Sequence, residues 1–249
     1  MIFGGIVLLI VAVICFFWAR SQAGELHAMN AADTYTAQMA SDLHGRVAAA
    51  LGTDALAQVC DIEGVIECDA PLSAPLSGTA CVAYTYSVTR EYEEDVTATD
   101  AQGKTETRTE RRSESLQSDS RQVNFWLRDA TGRTLVIPES ADLDLVSTGN
   151  RFDPAPAPGT GRTRTLGQRV AENALPVGSK VYVLGCVIDH EGQPAIARSP
   201  RDAKARFMIS RKSERELTQS AAAWARGLRY VAAGSGAIGL LLLAIGFVG

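Results

Sequence analysis

The chain has 249 residues, with 24 Lys and Arg against 28 Asp and Glu and a formal charge of −4. Mixed signs at so small a net charge exclude an electrostatic nucleic-acid binder, so no nucleic-acid partner is expected. Twenty Arg against four Lys is the usage of a GC-rich bacterial genome.

Residues 2–18, IFGGIVLLIVAVICFFW, are uncharged and almost wholly apolar. That is about the 17–25 residues a helix needs to cross a hydrocarbon core, and a transmembrane helix is expected. A signal peptide is the rival, with Ser21-Gln22-Ala23 as an acceptable cleavage site. Only Met1 precedes the run, however, where Lys or Arg is usual. Residues 24–52 predict an amphipathic helix, its stripe formed by Met39, Leu43, Val47 and Leu51 at four-residue steps and its end set by Gly52.

A β-rich domain is expected over residues 57–218. Residues 60–68, CDIEGVIEC, predict a short strand bent at Gly64. APLSG is a loop punctuated by Pro75 and Gly78, and Val82, Tyr84, Tyr86 and Val88 then alternate with smaller residues as in a half-buried strand. Residues 91–112 carry a turn signal at Asp100 to Gly103 between Thr-rich flanks, the first acidic and the second basic. A projecting hairpin is read here, with Asp95 opposite Arg108 and Glu91 opposite Arg112. A charge-rich disordered insertion is the alternative. Val123–Leu127 and Thr134–Ile137 flank a turn at Asp129–Gly132 and form a second hairpin. Residues 142–165, containing DPAPAPGTGRTRT, read as a surface loop.

KVYVLGCVID (180–189) is apolar on both faces and predicts a central strand, followed by further strands in QPAIARS and ARFMIS. SERE (213–216) is a capping box that opens a helix. Residues 230–248, YVAAGSGAIGLLLLAIGFV, form a second uncharged apolar run and a second expected transmembrane helix. The fold class expected is therefore an α+β membrane protein: a mainly antiparallel β domain, barrel-like or sandwich-like, between two transmembrane helices.

Catalytic motifs are missing. His27, His44 and His190 have no Cys or carboxylate at metal-ligand spacing and read as solvated. Cys60, Cys68, Cys81 and Cys186 form no CxxC; they are read as core thiols ahead of two disulfides in an oxidising compartment. Nucleophile-elbow, P-loop and dinucleotide patterns do not occur, and GTGRTRTLG (159–167) has neither a preceding strand nor a closing Gly-Lys-Ser/Thr. Glu172 reads as a structural hydrogen-bond acceptor. No catalytic, cofactor-binding or metal-ligating residue is assigned, and no cofactor or stoichiometric zinc is expected.

DIEGVIECDAPLSAPLSGTACVAYTYSV, VNFWLRDATGRTLVIP, ENALPVGSKVYVLGCVIDHEGQPAI and FMISRKSERELT, in that order, resemble the GIDE family of membrane E3 ubiquitin ligases. The resemblance covers about residues 60–218, the part that members hold beside a membrane, with Ala74 standing where the family usually has Ser. It implies structural roles for Pro75, Ser77, Gly78, Cys81, Tyr84, Asp129, Gly132, Glu172, Gly178, Tyr182 and Gly185. The eukaryotic ligases add a zinc-binding RING finger, whose ligands this sequence does not contain. A prokaryotic-type member lacking the RING is expected: a non-catalytic, membrane-anchored binding or scaffold module in envelope maintenance or stress. The alternatives are a ligase-like component acting with a separate RING subunit, or a channel or transport component.

Expected partners are the lipid bilayer and a protein or small ligand; a second copy packed through Gly234, Ser235, Gly236 and Gly239 belongs to the channel reading, against the favoured one that small residues are simply tolerated in a span. Arg20 after the first span and Arg211, Lys212, Arg215, Arg226 and Arg229 before the second place the domain in the cytoplasm of a bacterial inner membrane. The mitochondrial relatives hold theirs in the intermembrane space, which argues for a periplasmic domain instead; the cytoplasm is favoured.

Overall fold

Between residues 58 and 210, alternating segments with β-branched and aromatic residues build strands. The computed structural model describes residues 33–52, 56–99, 105–156 and 161–213, with shorter pieces at 3, 6–7, 10–15, 17–18, 215–219, 223–224, 227–228, 230–235 and 238–239. The elements with defined bounds are β1 (Asp33–Thr34), α1 (Ala37–Leu51), β2 (Gln58–Glu67), β3 (Leu72–Ser73), β4 (Ala80–Thr99), β5 (Thr105–Gln122) and β6 (Phe125–Arg128). They continue with β7 (Arg133–Val136), β8 (Asp142–Leu143), β9 (Val146–Pro154), β10 (Thr163–Pro176), β11 (Lys180–His190), β12 (Gln193–Ala197) and β13 (Met208–Ser210).

Five strands close on themselves. β2 pairs antiparallel with β6, β6 with β7, β12 with β11, and β11 with β2, while β7 and β12 run parallel. Numbered in chain order, the five barrel strands lie in the spatial order 1-2-3-5-4-1 with the single parallel pair between third and fifth, the topology of an OB-type barrel. Inward residues of period two fill it: Cys60, Ile62 and Ile66 from β2, Phe125 and Leu127 from β6, Val181, Val183 and Val187 from β11, and Ile196 from β12, all essentially inaccessible. Two glycines make room. A Cβ on Gly64 would lie 2.7 Å from the Arg128 carbonyl oxygen, and one on Gly185 would lie 2.7 Å from Ile196 Cγ2 and 3.0 Å from Phe207.

The second sheet is built from the two long insertions into that barrel. Residues 68–124 separate its first two strands and contribute β3, β4 and β5; residues 137–179 separate the third and fourth and, besides β8, contribute β9 and β10. The order is β3-β4-β10-β9, with β5 alongside β4. Val82, Ala83 and Leu175 at the base join the barrel core. Beyond Tyr86, no residue of β4 belongs to a core cluster. At about 3.4 Å per residue, Val88 to Thr99 carry the sheet roughly 35 Å further as an arm of β4 flanked by β5 throughout and by β10 as far as Glu94.

Several expectations are corrected. The fold class is mainly β, not α+β flanked by two spans: no helix among the described residues is long and apolar enough to cross a membrane. The integral inner-membrane placement is contradicted by the same finding. Much of both expected spans, with Gly236, lies outside the described residues, as does His27.

The amphipathic helix expected over 24–52 begins at Ala37. Thr36 caps it by accepting the Met39 N–H, and Asp33–Thr34 is already a strand beside Cys60 and Asp61. Its inward side is Ala40, Leu43 and Val47, whereas Met39 is 45 % exposed. Residues 142–165, expected as a loop, contain β8, all of β9 and the start of β10, because β10 pairs with β4 through Thr163 and Arg164. The hairpin register is shifted by one: Asp95 lies opposite Thr109 and Glu91 opposite Ser113, not Arg108 and Arg112. A one-residue shift turns those arginines to the other face. The turn expected at residues 100–103 lies outside the described residues.

Candidate functional site

The residues singled out in the sequence fall into three groups. Pro75, Ser77, Gly78, Cys81, Tyr84 and Glu172 come together where the arm leaves the barrel. Asp129 and Gly132 form the β6–β7 turn. Gly178, Tyr182 and Gly185 belong to β11 and the turn before it, where Gly178 has φ +83° and its N–H donates to the Ile66 carbonyl at 2.9 Å. Tyr182 is buried on the outer side of β11 with Leu184 and Met208.

The first group is organised by one carboxylate. Glu172 lies on β10 opposite Tyr86 of β4 and Gly149 of β9, and it is wholly inaccessible. It accepts the N–H of Leu76 at 2.5 Å, the N–H of Ser77 at 3.2 Å and the hydroxyl of Thr148 at 2.7 Å. Burial opposes its ionisation, but the Ser77, Leu76 and Thr148 donors outweigh burial and hold the carboxyl below its ordinary range. The loop so held is closed by Gly78, at φ +71°, whose N–H donates to the Ala74 carbonyl at 2.9 Å. Leu76 lies so close to Gly149 that a Cβ there would meet Leu76 Cδ2 at 2.4 Å. Thr148 and Gly149 were not visible as site residues in the sequence, since neither sits in a recognisable motif. Cys81, Tyr84, Ala74 and Ala174 pack beneath the loop, and the Tyr84 hydroxyl donates to Asp119 at 2.8 Å. With its lone pairs taken up by the loop and by Thr148, Glu172 positions the base of the arm.

The second group pins the helix. Asp129 Oδ1 accepts the Thr131 N–H and hydroxyl, both at 2.7 Å, and the Gly132 N–H at 3.0 Å. Its other oxygen accepts the Ala37 N–H at 2.8 Å, at the first turn of α1. Burial again opposes ionisation, and the donors from Ala37, Thr131 and Gly132 prevail, so the carboxyl is lowered. Farther along α1, His44 Nε2 lies 2.6 Å from Asp189 Oδ1 at the end of β11. His44 is therefore a partnered, half-buried histidine, not the solvated one expected. The hydrogen bond from His44 is the main cause that lowers the Asp189 carboxyl.

The arm itself is laced by charges. Arg164 of β10 reaches Asp95 at 3.3 Å and Glu93 at 3.6 Å, Arg169 meets Glu91 at 2.6 Å, and Arg112 of β5 meets Glu94 at 3.0 Å. Arg90 stacks on Tyr92 with its guanidinium 4.8 Å from the ring centre and pairs with Glu114 at 2.9 Å. A shallow groove of about 340 Å³ opens along the arm, lined by Glu91, Tyr92, Arg111, Arg112, Ser113 and Leu166. Among the described residues no group of three or more His, Cys, Asp or Glu could hold a metal ion. Cys60, Cys81 and Cys186 are buried free thiols, and burial pushes Cys60 up to about 12.

An OB-type barrel carrying a long three-stranded arm is the class of protein that this geometry defines. The family model GIDE, described as E3 ubiquitin ligase, matches residues 93–244, more than half of the chain, and the chain belongs to that family. No curated relative and no solved structure matches it.

Proposed function

We propose that this chain is a non-catalytic protein-docking module of the GIDE type, in which the barrel is the base and the arm is the contact surface. The observation that carries this reading is the arm's construction. Its outer half has no core beneath it, so its length contributes little burial to the stability of the barrel. It is nonetheless cross-linked by ion pairs among three strands. The arm is inserted between the first and second barrel strands, a connection that OB-type barrels commonly use to build binding loops; that support is analogy of fold. The groove with Tyr92, Leu166, Arg111 and Arg112 offers the mixture of aromatic, aliphatic and Arg contacts that suits a protein partner.

The family description favours a second reading, a component of a ubiquitin ligase. Incubating the purified chain with ubiquitin, activating enzyme and a panel of conjugating enzymes separates the two. The docking reading expects no ubiquitin conjugates from the chain alone; conjugates formed at a rate proportional to its concentration would establish the ligase reading instead.

A further inference from the structure

We propose that two copies of this chain associate through the outer edge of β5, antiparallel, about a two-fold axis at Thr109. This goes beyond the docking of a different protein on the arm's groove and does not depend on it. Among the described residues β5 pairs with β4 alone, so that residues 106–122 present an outer edge that no other described strand covers. Such an edge is a template for another strand unless its side chains forbid the pairing.

Here the side chains select a partner. On one face, at steps of two, stand Glu106, Arg108, Glu110, Arg112 and Glu114, a strict alternation of sign. The alternation is a feature of the exposed edge: Arg108 is 71 % and Arg112 46 % accessible, and Glu106 is exposed as well. Within the chain Arg108 and Arg112 flank Glu110 at 2.5 and 3.2 Å, but each guanidinium has donors left over.

An alternating ladder is complementary to its own reverse when offset by one step. Because antiparallel pairs alternate between two hydrogen-bonding types, a two-fold axis must map like onto like, and it falls on a residue. Centring on Thr109 sets Glu106 opposite the second copy's Arg112 and Arg108 opposite its Glu110, each pair occurring twice by symmetry. Centring on Glu110 would instead oppose Glu106 to Glu114, Arg108 to Arg112 and Glu110 to itself. Centring on Arg111 keeps opposite signs on this face but opposes Arg111 to itself. The Thr109 register alone of these three has no like-charge pair.

Sedimentation equilibrium of the full chain over a concentration series tests the proposal. The chain is expected to dimerise. Glu106→Arg with Glu110→Arg, and separately Arg108→Glu with Arg112→Glu, are each expected to weaken self-association about tenfold or more. An equimolar mixture of the two variants should recover association as a heterodimer, since every reversed charge then meets its opposite. A wild-type chain that stays monomeric, variants that dimerise as wild type does, or a mixture that recovers nothing would each overturn the proposal. Should a variant fail to fold, the wild-type dimer alone decides: raising NaCl from about 0.1 M to about 1 M must loosen it, and unchanged or tighter association overturns it.

Discussion

The carboxylate of Glu172 accepts the N–H of Leu76, 96 residues earlier in the chain, at 2.5 Å and with no access to water. One side chain thus fastens the loop after β3 to the middle of β10, where the arm leaves the barrel. Replacing it with Gln substitutes an amide that must turn an N–H₂ toward donors. Glu172→Gln is expected to cost about 1–3 kcal/mol in urea unfolding, and limited proteolysis should find new cleavage between residues 74 and 79. Gly149→Ala is expected to open the same loop, because the added methyl would collide with Leu76.

Among the described residues four carboxyl groups are held below their ordinary range: Glu172, Asp129, Asp189 and, exposed on the arm between Arg108 and Arg112, Glu110. A depressed folded-state value contributes stability that is present above the unfolded carboxylate range, about pH 4, and is lost as the pH falls through the folded values. Thermal midpoints followed from pH 7 downward should therefore hold steady to about pH 5 and then fall. Asp129→Asn should flatten part of that fall and lower hydrogen-exchange protection across residues 37–40 first, since it removes the charged acceptor of the Ala37 N–H.

The barrel and the arm should respond differently to truncation. Leu127 is fully buried and Leu116 on β5 is 48 % exposed. Leu127→Ala is expected to destabilise by about 2–5 kcal/mol, and Leu116→Ala by no more than about 0.5 kcal/mol, read as shifts in the denaturation midpoint. Equal shifts would mean that the outer arm carries core burial.

Native thiol accessibility follows burial. Cys60, Cys81 and Cys186 are fully buried, and the Cys60 thiol is further disarmed by a value pushed up to about 12. A maleimide added to the folded protein should modify none of the three until denaturant is present, while half-exposed Cys68 reacts first among the four cysteines of residues 60–186.

The sequence exposes those parts of the fold whose signal is local. The β6–β7 hairpin follows from the Asp129-Ala130-Thr131-Gly132 turn, and β11 from its continuous apolar run. At Ser213 and Glu216 the capping box is formed as the motif predicts, with the Ser213 N–H donating to the Glu216 carboxylate at 3.0 Å. β5 and β9 left no apolar alternation, because neither face of the arm is buried and their residues are chosen for charge and hydrogen bonding. The parallel β7–β12 pair that closes the barrel joins residues 60 positions apart, as Leu135 with Ala195, and leaves no mark on either strand alone. The register expected from a turn placed on the Asp100 to Gly103 signal is off by one, because the pairing of β4 with β5 sets Asp95 opposite Thr109, and the acids of β4 are taken up in part by Arg164 and Arg169 of β10. At the candidate site Glu172 could be singled out in the sequence, but its partners lie 24 to 96 residues away. The apolar ends show the opposite error: composition predicts two spans, and no helix among the described residues is long and apolar enough to cross a membrane.

The central claim is that the arm docks a partner and the barrel carries it. Glu91 and Ser113 are paired residues, so an Asn-Gly turn can replace residues 92–112 without disturbing the strands below. A photo-crosslinking residue at Leu166, on the remaining side of the groove, then reports contact in cells that make either form. The account predicts a defined crosslinked protein with the full chain, no such product with the shortened one, and an unfolding midpoint unchanged within about 2 °C, given that a 1 kcal/mol change moves a domain of this size by about 2–4 °C. An undiminished crosslink from the shortened chain, or a barrel that no longer folds once the arm is gone, would contradict it.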